Sequence, residues 1–117
     1  MKKNIVLCFD LDGVICKTIK NYYSKSLPIK KNVKFINLLF EKGFIIKIYT
    51  ARGMGRSNDN VAIAKEKFYK LTMKQLKSWR LNYHKLILGK PSYDILIDDK
   101  SLFYKKNWRF DLLKKLN

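Results

Sequence analysis

Four of the nine acidic residues in this 117-residue chain lie in two close pairs, and these are the first residues to consider for chemistry. Asp10 and Asp12 follow one short apolar run, and Asp98 and Asp99 follow another. Neighbouring carboxylates repel one another, so their clustering in a chain this poor in acid calls for a compensating cation. Magnesium is the natural candidate, because it is a hard ion that prefers oxygen ligands. The sequence therefore predicts a Mg²⁺ site that joins the two acidic pairs.

Other candidate residues follow the remaining apolar runs. Thr50, Ala51 and Arg52 come directly after one run, and Arg56 lies a few residues beyond them. The two arginines are half of the four in the chain; they could clamp an anionic part of a substrate, or they could be ordinary surface charge. Lys90 follows a later run.

The order of four short motifs is more specific than any one of them. The motifs are FDLDGVI at 9–15, IYTARG at 48–53, GKP at 89–91 and ILIDD at 95–99. Over nearly its whole length the chain resembles the haloacid dehalogenase (HAD) superfamily of phosphohydrolases, and most closely the small capless members associated with capsule or surface-polysaccharide biosynthesis. The resemblance implies a nucleophile at Asp10, a general acid and base at Asp12, a phosphate hydrogen-bond donor at Thr50, a charge-neutralising group at Lys90 and a Mg²⁺ ligand at Asp98.

The chemistry of these residue types agrees with such roles. Phosphate monoesters hydrolyse very slowly in water, so an enzyme acts mainly through positioning and charge stabilisation. Attack by Asp10 gives an acyl phosphate, which water cleaves more readily, while Asp12 donates and later accepts a proton. Mg²⁺ is expected to bind Asp10, Asp98 and the backbone carbonyl of Asp12. Backbone N–H groups near Gly13 are expected to complete the phosphate cradle.

Several assignments have competitors within the chain. Lys85 and Lys100 compete with Lys90 as the phosphate lysine in this lysine-rich sequence. Asp99 is either an outer ligand of the metal or a loop carboxylate. The single histidine, His84, is expected to be structural.

The elements that must position these residues alternate between strands and helices. Short apolar runs predict strands at 4–9, 44–49, 86–88 and 94–97, the first of them covered on both faces. Helical spacing or capping signals predict helices at 28–42, from 58 or 59 to 70, at 72–82 and at 109–116. Gly43 is the predicted C-terminal cap of the first helix, Asn58 or Asp59 is predicted to cap the second, and Thr72 with Gln75 is predicted to form a capping box for the third. This alternation is typical of an α/β fold with a parallel sheet flanked by helices. Residues 1–117 are expected to form a single Rossmann-like domain, and the resemblance makes it a HAD-like hydrolase core.

Composition limits the class of protein and its partners. The formal net charge of +17 suits anionic partners, but 22 of the 26 basic residues are Lys, whereas nucleic-acid readers favour Arg, so nucleic acid is an unlikely partner. No run approaches ~18 apolar residues and no signal peptide is seen, which predicts a cytoplasmic protein without membrane insertion. Cys8 and Cys16 lack bridge spacing and are expected to be reduced thiols in or near the core.

The spacing of the motifs leaves no room for a cap domain. Only 37 residues separate Asp12 from Thr50, and 39 separate Thr50 from Lys90. The active site must then be covered by the loop at 17–27, by a second subunit in a homo-oligomer, or by a bulky substrate. The resemblance implies a magnesium-dependent phosphatase acting on a small, sugar-based phosphate of polysaccharide biosynthesis. The alternatives are a nucleotide or nucleic-acid-end phosphatase and a non-catalytic polyanion-binding module.

Overall fold

The described part of the chain, residues 4–117 of a computed structural model, is an α/β domain with a parallel sheet flanked by three helices. In chain order the elements are β1 (Val6–Asp10), β2 (Cys16–Lys17), a 3-10 helix (Tyr23–Lys25), β3 (Leu27–Pro28), α1 (Lys30–Glu41), β4 (Ile45–Thr50), α2 (Val61–Ser78), β5 (Lys85–Leu88) and α3 (Trp108–Leu116). The main sheet has the order β1-β4-β5 with both pairs parallel, and β2 and β3 form a small antiparallel pair. The predicted fold class is confirmed.

Parallel pairing brings the carboxyl ends of the three strands to one edge of the sheet. Asp10 is the last residue of β1 and lies opposite Tyr49, while Thr50, the last residue of β4, lies opposite Leu88 at the end of β5. Residues that follow separate strands in the sequence therefore meet above the same edge. Lys90 comes two residues after β5, and its backbone N–H donates to the Thr50 carbonyl at 3.1 Å.

The apolar spacing of the sequence explains the first helix. Val33, Ile36 and Leu39 of α1 are buried and lie on one face, as a period of 3.6 residues requires. The helix ends before Gly43, whose φ of +97° favours glycine, so the predicted C-terminal cap is confirmed.

The second helical region differs from its prediction. α2 is one continuous helix, with a cap at Asn60 whose side chain accepts from the Ile63 N–H at 3.1 Å. The two separate helices, and the caps expected at Asn58 or Asp59, were therefore wrong. Thr72 and Gln75 do not form the expected capping box, because both are buried within the helix and face the site described below.

The strand predicted at 94–97 is not formed. Residues 94–97 are irregular, and Ile95 and Ile97 are 81% and 93% exposed. Within residues 4–117, β1 consequently has a strand partner on one side only and forms an edge of the sheet. A short apolar run does not identify the strand with which it would pair, and residues 94–97 pair with no strand here.

One face of the sheet is more fully covered than the other. Ile46, Ile48 and Thr50 are completely buried, whereas the intervening residues of β4 are only partly buried. The prediction of a β1 covered on both faces was wrong, because Val6 and Cys8 are exposed. Of the two cysteines expected in or near the core, only Cys16 is buried.

Aromatic packing closes the buried side of the domain. The Trp108 ring, at the start of α3, lies 6.2 Å from Phe9 and 5.4 Å from Phe35 between ring centroids, in edge-to-face arrangements. His84 has the structural role expected of it: its Nδ1 accepts from the Ile46 N–H at 2.9 Å, and its ring stacks on Phe40. Among residues 4–117, none of the helices combines the length and apolar character needed to cross a membrane.

Candidate active site

A tight loop after β1 presents the first acidic pair. The Leu11 carbonyl accepts hydrogen bonds from the N–H groups of Val14, Ile15 and Cys16, and the side chains of Leu11 and Ile15 are completely buried. The loop reverses at Gly13, whose φ of +95° few other residues adopt at low cost. These anchors leave Asp10 and Asp12 facing a cavity above the sheet edge.

A further backbone N–H group of this loop makes a hydrogen bond within the loop. Of the backbone N–H groups near Gly13 that were expected to hold phosphate, that of Gly13 itself donates to the Cys16 carbonyl at 2.8 Å. Gly13 still lines the cavity, where the absence of a side chain leaves room above the acidic pair.

Lys90 is the lysine that reaches the acidic pair. Its Nζ lies 3.3 Å from Oδ2 of Asp10, while Oδ1 of Asp10 accepts from the Leu11 N–H at 2.9 Å. Of its competitors, Lys85 begins β5 at the far end of the strand, and Lys100 lies in the exposed irregular segment. Neither of them lines the cavity.

The environment raises the pKa of both partners of this ion pair. Burial raises the pKa of Asp10, and the charge of Lys90 and the Leu11 N–H oppose that rise. Burial alone would lower the pKa of Lys90, but a polar contact with Tyr93 and the charge of Asp10 outweigh it, so the pKa of Lys90 stands above its ordinary value. Lys90 therefore remains an ammonium, and its charge favours the carboxylate form of Asp10.

Asp12 is held by a buried arginine that the sequence placed with the substrate-binding residues. The Arg52 side chain is 0% exposed, and its Nη2 and Nε lie 3.0 Å from Oδ1 and 3.1 Å from Oδ2 of Asp12. Its Nη1 donates to Oγ1 of Thr72 at 3.2 Å and to Gln75, and its Nη2 also donates to Oγ of Ser26 at 3.2 Å. This placement corrects the expectation of a free clamp for substrate: Arg52 is a positioning residue for Asp12.

Further groups around Asp12 were not identified from the sequence. Thr18 donates to Oδ1 of Asp12 and shares a hydrogen bond with Ser26, and Cys16 Sγ lies 3.4 Å from the same carboxylate oxygen. Burial and the Asp12 charge raise the pKa of the Cys16 thiol to about 11, so the thiol stays protonated near neutral pH. Thr18 and Ser26 are ordinary loop residues in the sequence. No spacing rule indicates that they lie beside Asp12 together with Arg52, which is 40 residues from Asp12 along the chain.

Thr50 is buried beside the site and does not line the cavity. Its Oγ1 accepts from the Arg52 N–H at 3.1 Å, as a strand-end cap would. Ala51, the next residue, does line the cavity. Gly53 allows this loop to approach α2, since a Cβ there would lie 2.7 Å from Cδ2 of Phe68 at a φ of +79°.

The second acidic pair lies outside this arrangement. Asp98 and Asp99 are exposed and do not line the cavity. The Lys100 N–H donates to Oδ1 of Asp98 at 3.1 Å and lowers the pKa of that carboxyl. Across residues 4–117 no three acidic, histidine or cysteine side chains come together as a metal-binding group. The structure thus brings Asp10, Asp12 and Lys90 together, and does not bring Asp98 or Asp99 to them.

The cavity over the acidic pair has a volume of about 900 Å³. Besides the predicted Arg56, its wall includes residues that the sequence analysis had not singled out as binding groups, namely Lys17, Thr18, Lys20, Asn21, Tyr23, Ser92 and Tyr93. Most of them belong to the segment between β1 and α1, which contains the loop at 17–27, one of the three candidates for covering the site.

Comparison with known proteins relates the fold to solved structures. A target protein from Vibrio cholerae superposes with a TM-score of 0.79 at 23% identity, covering 97% of this chain and 99% of that one. A chain of the Pnkp1/Rnl/Hen1 complex gives 0.56 at 14% identity, covering 96% of this chain and 34% of that one. The D,D-heptose 1,7-bisphosphate phosphatase of B. bronchiseptica, complexed with magnesium and phosphate, gives 0.52 at 13% identity, covering 96% and 63%.

These likenesses show the fold, a Rossmann-like α/β domain with a parallel sheet, and so confirm that part of the sequence prediction. Neither the protein-family models nor the curated proteins gave a match.

Proposed function

We propose that this chain is a magnesium-dependent phosphohydrolase that cleaves a phosphate monoester through a phosphoryl-aspartate at Asp10. The observation that carries the proposal is the meeting of Asp10, Asp12 and Lys90 in one cavity at the carboxyl edge of a parallel sheet. The carboxylate of Asp10 is partly exposed to the cavity, with an ammonium 3.3 Å away that reduces its repulsion of an approaching phosphate. The likeness of the fold to a heptose bisphosphate phosphatase supports the same reaction class.

The reaction has two steps in this proposal. A carboxylate oxygen of Asp10 attacks phosphorus, the bond from phosphorus to the alcohol oxygen breaks, and Asp12, which enters this step protonated, gives that oxygen its proton. Asp12 then takes a proton from a water molecule, which attacks the acyl phosphate and releases phosphate and a free Asp10. Arg52 and Thr18 hold the Asp12 carboxylate in one orientation for both proton transfers.

The carboxylate and carbonyl oxygens of Asp10 and Asp12 are the kind of ligand that Mg²⁺ prefers. Mg²⁺ in phosphate sites is commonly held by one or two carboxylates, water and the substrate phosphate itself. Asp10 and the backbone carbonyl of Asp12 would hold it, and we assign Asp98 as a further ligand. Bound there, the ion would neutralise phosphate charge.

The role of Asp98 requires a rearrangement of the segment that carries it. Within the described chain, β1 lacks a strand partner on one side, and the apolar side chains of Ile95 and Ile97 are exposed to solvent. Pairing of the two segments would satisfy both. Pairing of 94–97 with β1 would bring Asp98 towards the carboxyl edge where Asp10 lies. Asp99 is assigned to the outer shell of the same site.

The first test is turnover of a panel of sugar phosphates, nucleotides and p-nitrophenyl phosphate with and without magnesium. We expect phosphate release that stops with chelator and returns with Mg²⁺, because Asp10 and the substrate phosphate repel each other without the ion. Preference for sugar phosphates would support a role in polysaccharide biosynthesis. The likeness to a chain of the Pnkp1/Rnl/Hen1 RNA repair complex supports nucleotides or nucleic-acid ends as the second candidate class of substrate. Absence of turnover together with DNA binding that weakens steeply with salt would instead indicate a polyanion-binding module.

The second test concerns Asp98. Asp98→Asn is expected to lower kcat by at least ~100-fold and to raise the Mg²⁺ concentration needed for half-maximal activity, because a carboxylate ligand is lost. Asp94→Asn, in the same exposed segment, is the matched control and should behave like the parent protein. Backbone amides of 94–99 should also exchange more slowly when Mg²⁺ and phosphate are added. Normal magnesium dependence in Asp98→Asn, with no change in exchange, would remove Asp98 from the site.

A further inference from the structure

Three cations on the cavity wall have no acidic partner among the described residues. Lys90 pairs with Asp10 and Arg52 pairs with Asp12, so the two carboxylates of the cavity are neutralised. Lys17, Lys20 and Arg56 line the same cavity and make no ion pair within residues 4–117. The cavity therefore carries positive charge beyond what its own acidic groups balance.

Arg56 is held in place by its surroundings. Its Nη2 donates to the Asn21 carbonyl at 3.1 Å, and its guanidinium lies 5.8 Å from the ring centroids of Tyr23 and of Phe68. This is its one hydrogen bond in the described structure, so most of its N–H groups remain available to a ligand. A guanidinium held in this way can bind a phosphate or carboxylate at a low cost in side-chain entropy.

The size of the cavity allows a ligand larger than one phosphate. A volume of about 900 Å³ is near the upper end of small-molecule pockets. Lys17 and Lys20 stand on the segment between β1 and α1, and Arg56 stands on the loop after β4. The unpaired cations thus come from two segments, which meet where Arg56 donates to the Asn21 carbonyl, next to Lys20.

We infer that the cavity holds a second anion subsite, formed by Arg56 with Lys17 and Lys20, and that the preferred substrate is a small phosphate monoester bearing a second phosphate. The inference rests on the proposed function, because it assumes that the first phosphate lies at Asp10. Lys90 and magnesium serve that first phosphate, which leaves the three unpaired cations for the second one. The subsite selects the substrate and takes no part in the chemical steps.

The test compares matched pairs of substrates that differ by one phosphate. Fructose 1,6-bisphosphate is compared with fructose 6-phosphate, and adenosine 3′,5′-bisphosphate with adenosine 3′-phosphate, in the wild type, Arg56→Gln and Lys20→Gln. We expect the wild type to show at least ~10-fold higher kcat/KM for one bisphosphate than for its partner, a typical value for a charge-assisted contact. In both variants that ratio should fall about tenfold. The pair with the larger ratio shows whether the substrate is a sugar or a nucleotide.

Controls separate this inference from the proposed function. Lys34→Gln removes one charge from the exposed side of α1, away from the cavity, and should leave the ratio unchanged. Turnover of p-nitrophenyl phosphate with equal kcat/KM within both pairs would overturn the subsite and leave the phosphatase standing. Absence of turnover on every ester would overturn the proposed function, and calorimetric binding of fructose 1,6-bisphosphate would then decide the subsite. Equal affinity of the wild type and Arg56→Gln in that measurement would overturn it.

Discussion

Asp10→Asn should abolish phosphate release while leaving the domain folded. The amide has the size of the carboxylate and can still accept the Leu11 N–H, which Oδ1 of Asp10 accepts at 2.9 Å. It is a far weaker nucleophile, so kcat should fall by at least ~10⁴-fold, as when other covalent nucleophiles are removed. Steady-state kinetics together with circular dichroism measure both halves of this expectation.

Trapping the intermediate makes the result specific to Asp10. Acid quenching during turnover of a radiolabelled substrate should leave hydroxylamine-labile phosphate on the wild type and none on Asp10→Asn. Asp111→Asn is the matched control, because it removes a carboxylate that pairs with Lys105 at 3.3 Å outside the cavity. An Asp10→Asn protein that keeps its turnover and its labile phosphate would assign the nucleophile to another residue.

Arg52→Met should lower both the stability of the fold and kcat. The change removes a completely buried guanidinium and leaves Asp12, Thr72 and Gln75 without their shared donor. Breaking a buried ion pair costs about 3–5 kcal/mol, and since Asp12 is 27% exposed we expect the lower end, a fall in Tm of roughly 10 °C. Loss of orientation at Asp12 should lower kcat by about 100-fold with less effect on KM.

Two comparisons distinguish a positioning role from general destabilisation. Arg52→Lys should recover only part of the turnover, because one ammonium cannot bind both oxygens of Asp12 and also reach Thr72 and Gln75. In an Asp12→Asn background, Arg52→Met should lower kcat little further, since the group that it positions is already lost. Arg80→Met, at an exposed arginine outside the cavity, serves as the control. Equal additional losses in the two backgrounds would show that Arg52 does not act through Asp12.

The parts of the fold that followed from the sequence are those set by local periodicity. The spacing of Val33, Ile36 and Leu39 predicts α1, and the apolar run before Thr50 predicts β4, because burial repeats with the period of each element. The meeting of Asp10 with Lys90 followed from the rule that parallel strands end at one edge.

The contacts of Arg52 could not be predicted in the same way. Thr72 and Gln75 have the spacing of a capping box, and only the three-dimensional packing of α2 turns them towards Arg52. The run at 94–97 has strand composition, but a strand also needs a partner that the sequence does not identify. For the same reason Asp98, placed by motif order, does not lie in the cavity here.

The edge of β1 that has no strand partner within residues 4–117 also bears on how copies of this protein behave towards one another. A strand that offers unpaired N–H and C=O groups is a template on which a strand of another chain can add, the first step of aggregation. A formal net charge of +17 opposes such encounters, because like-charged molecules repel before backbones can touch. The excess of lysine therefore opposes edge-to-edge association of copies through the strand that ends in Asp10.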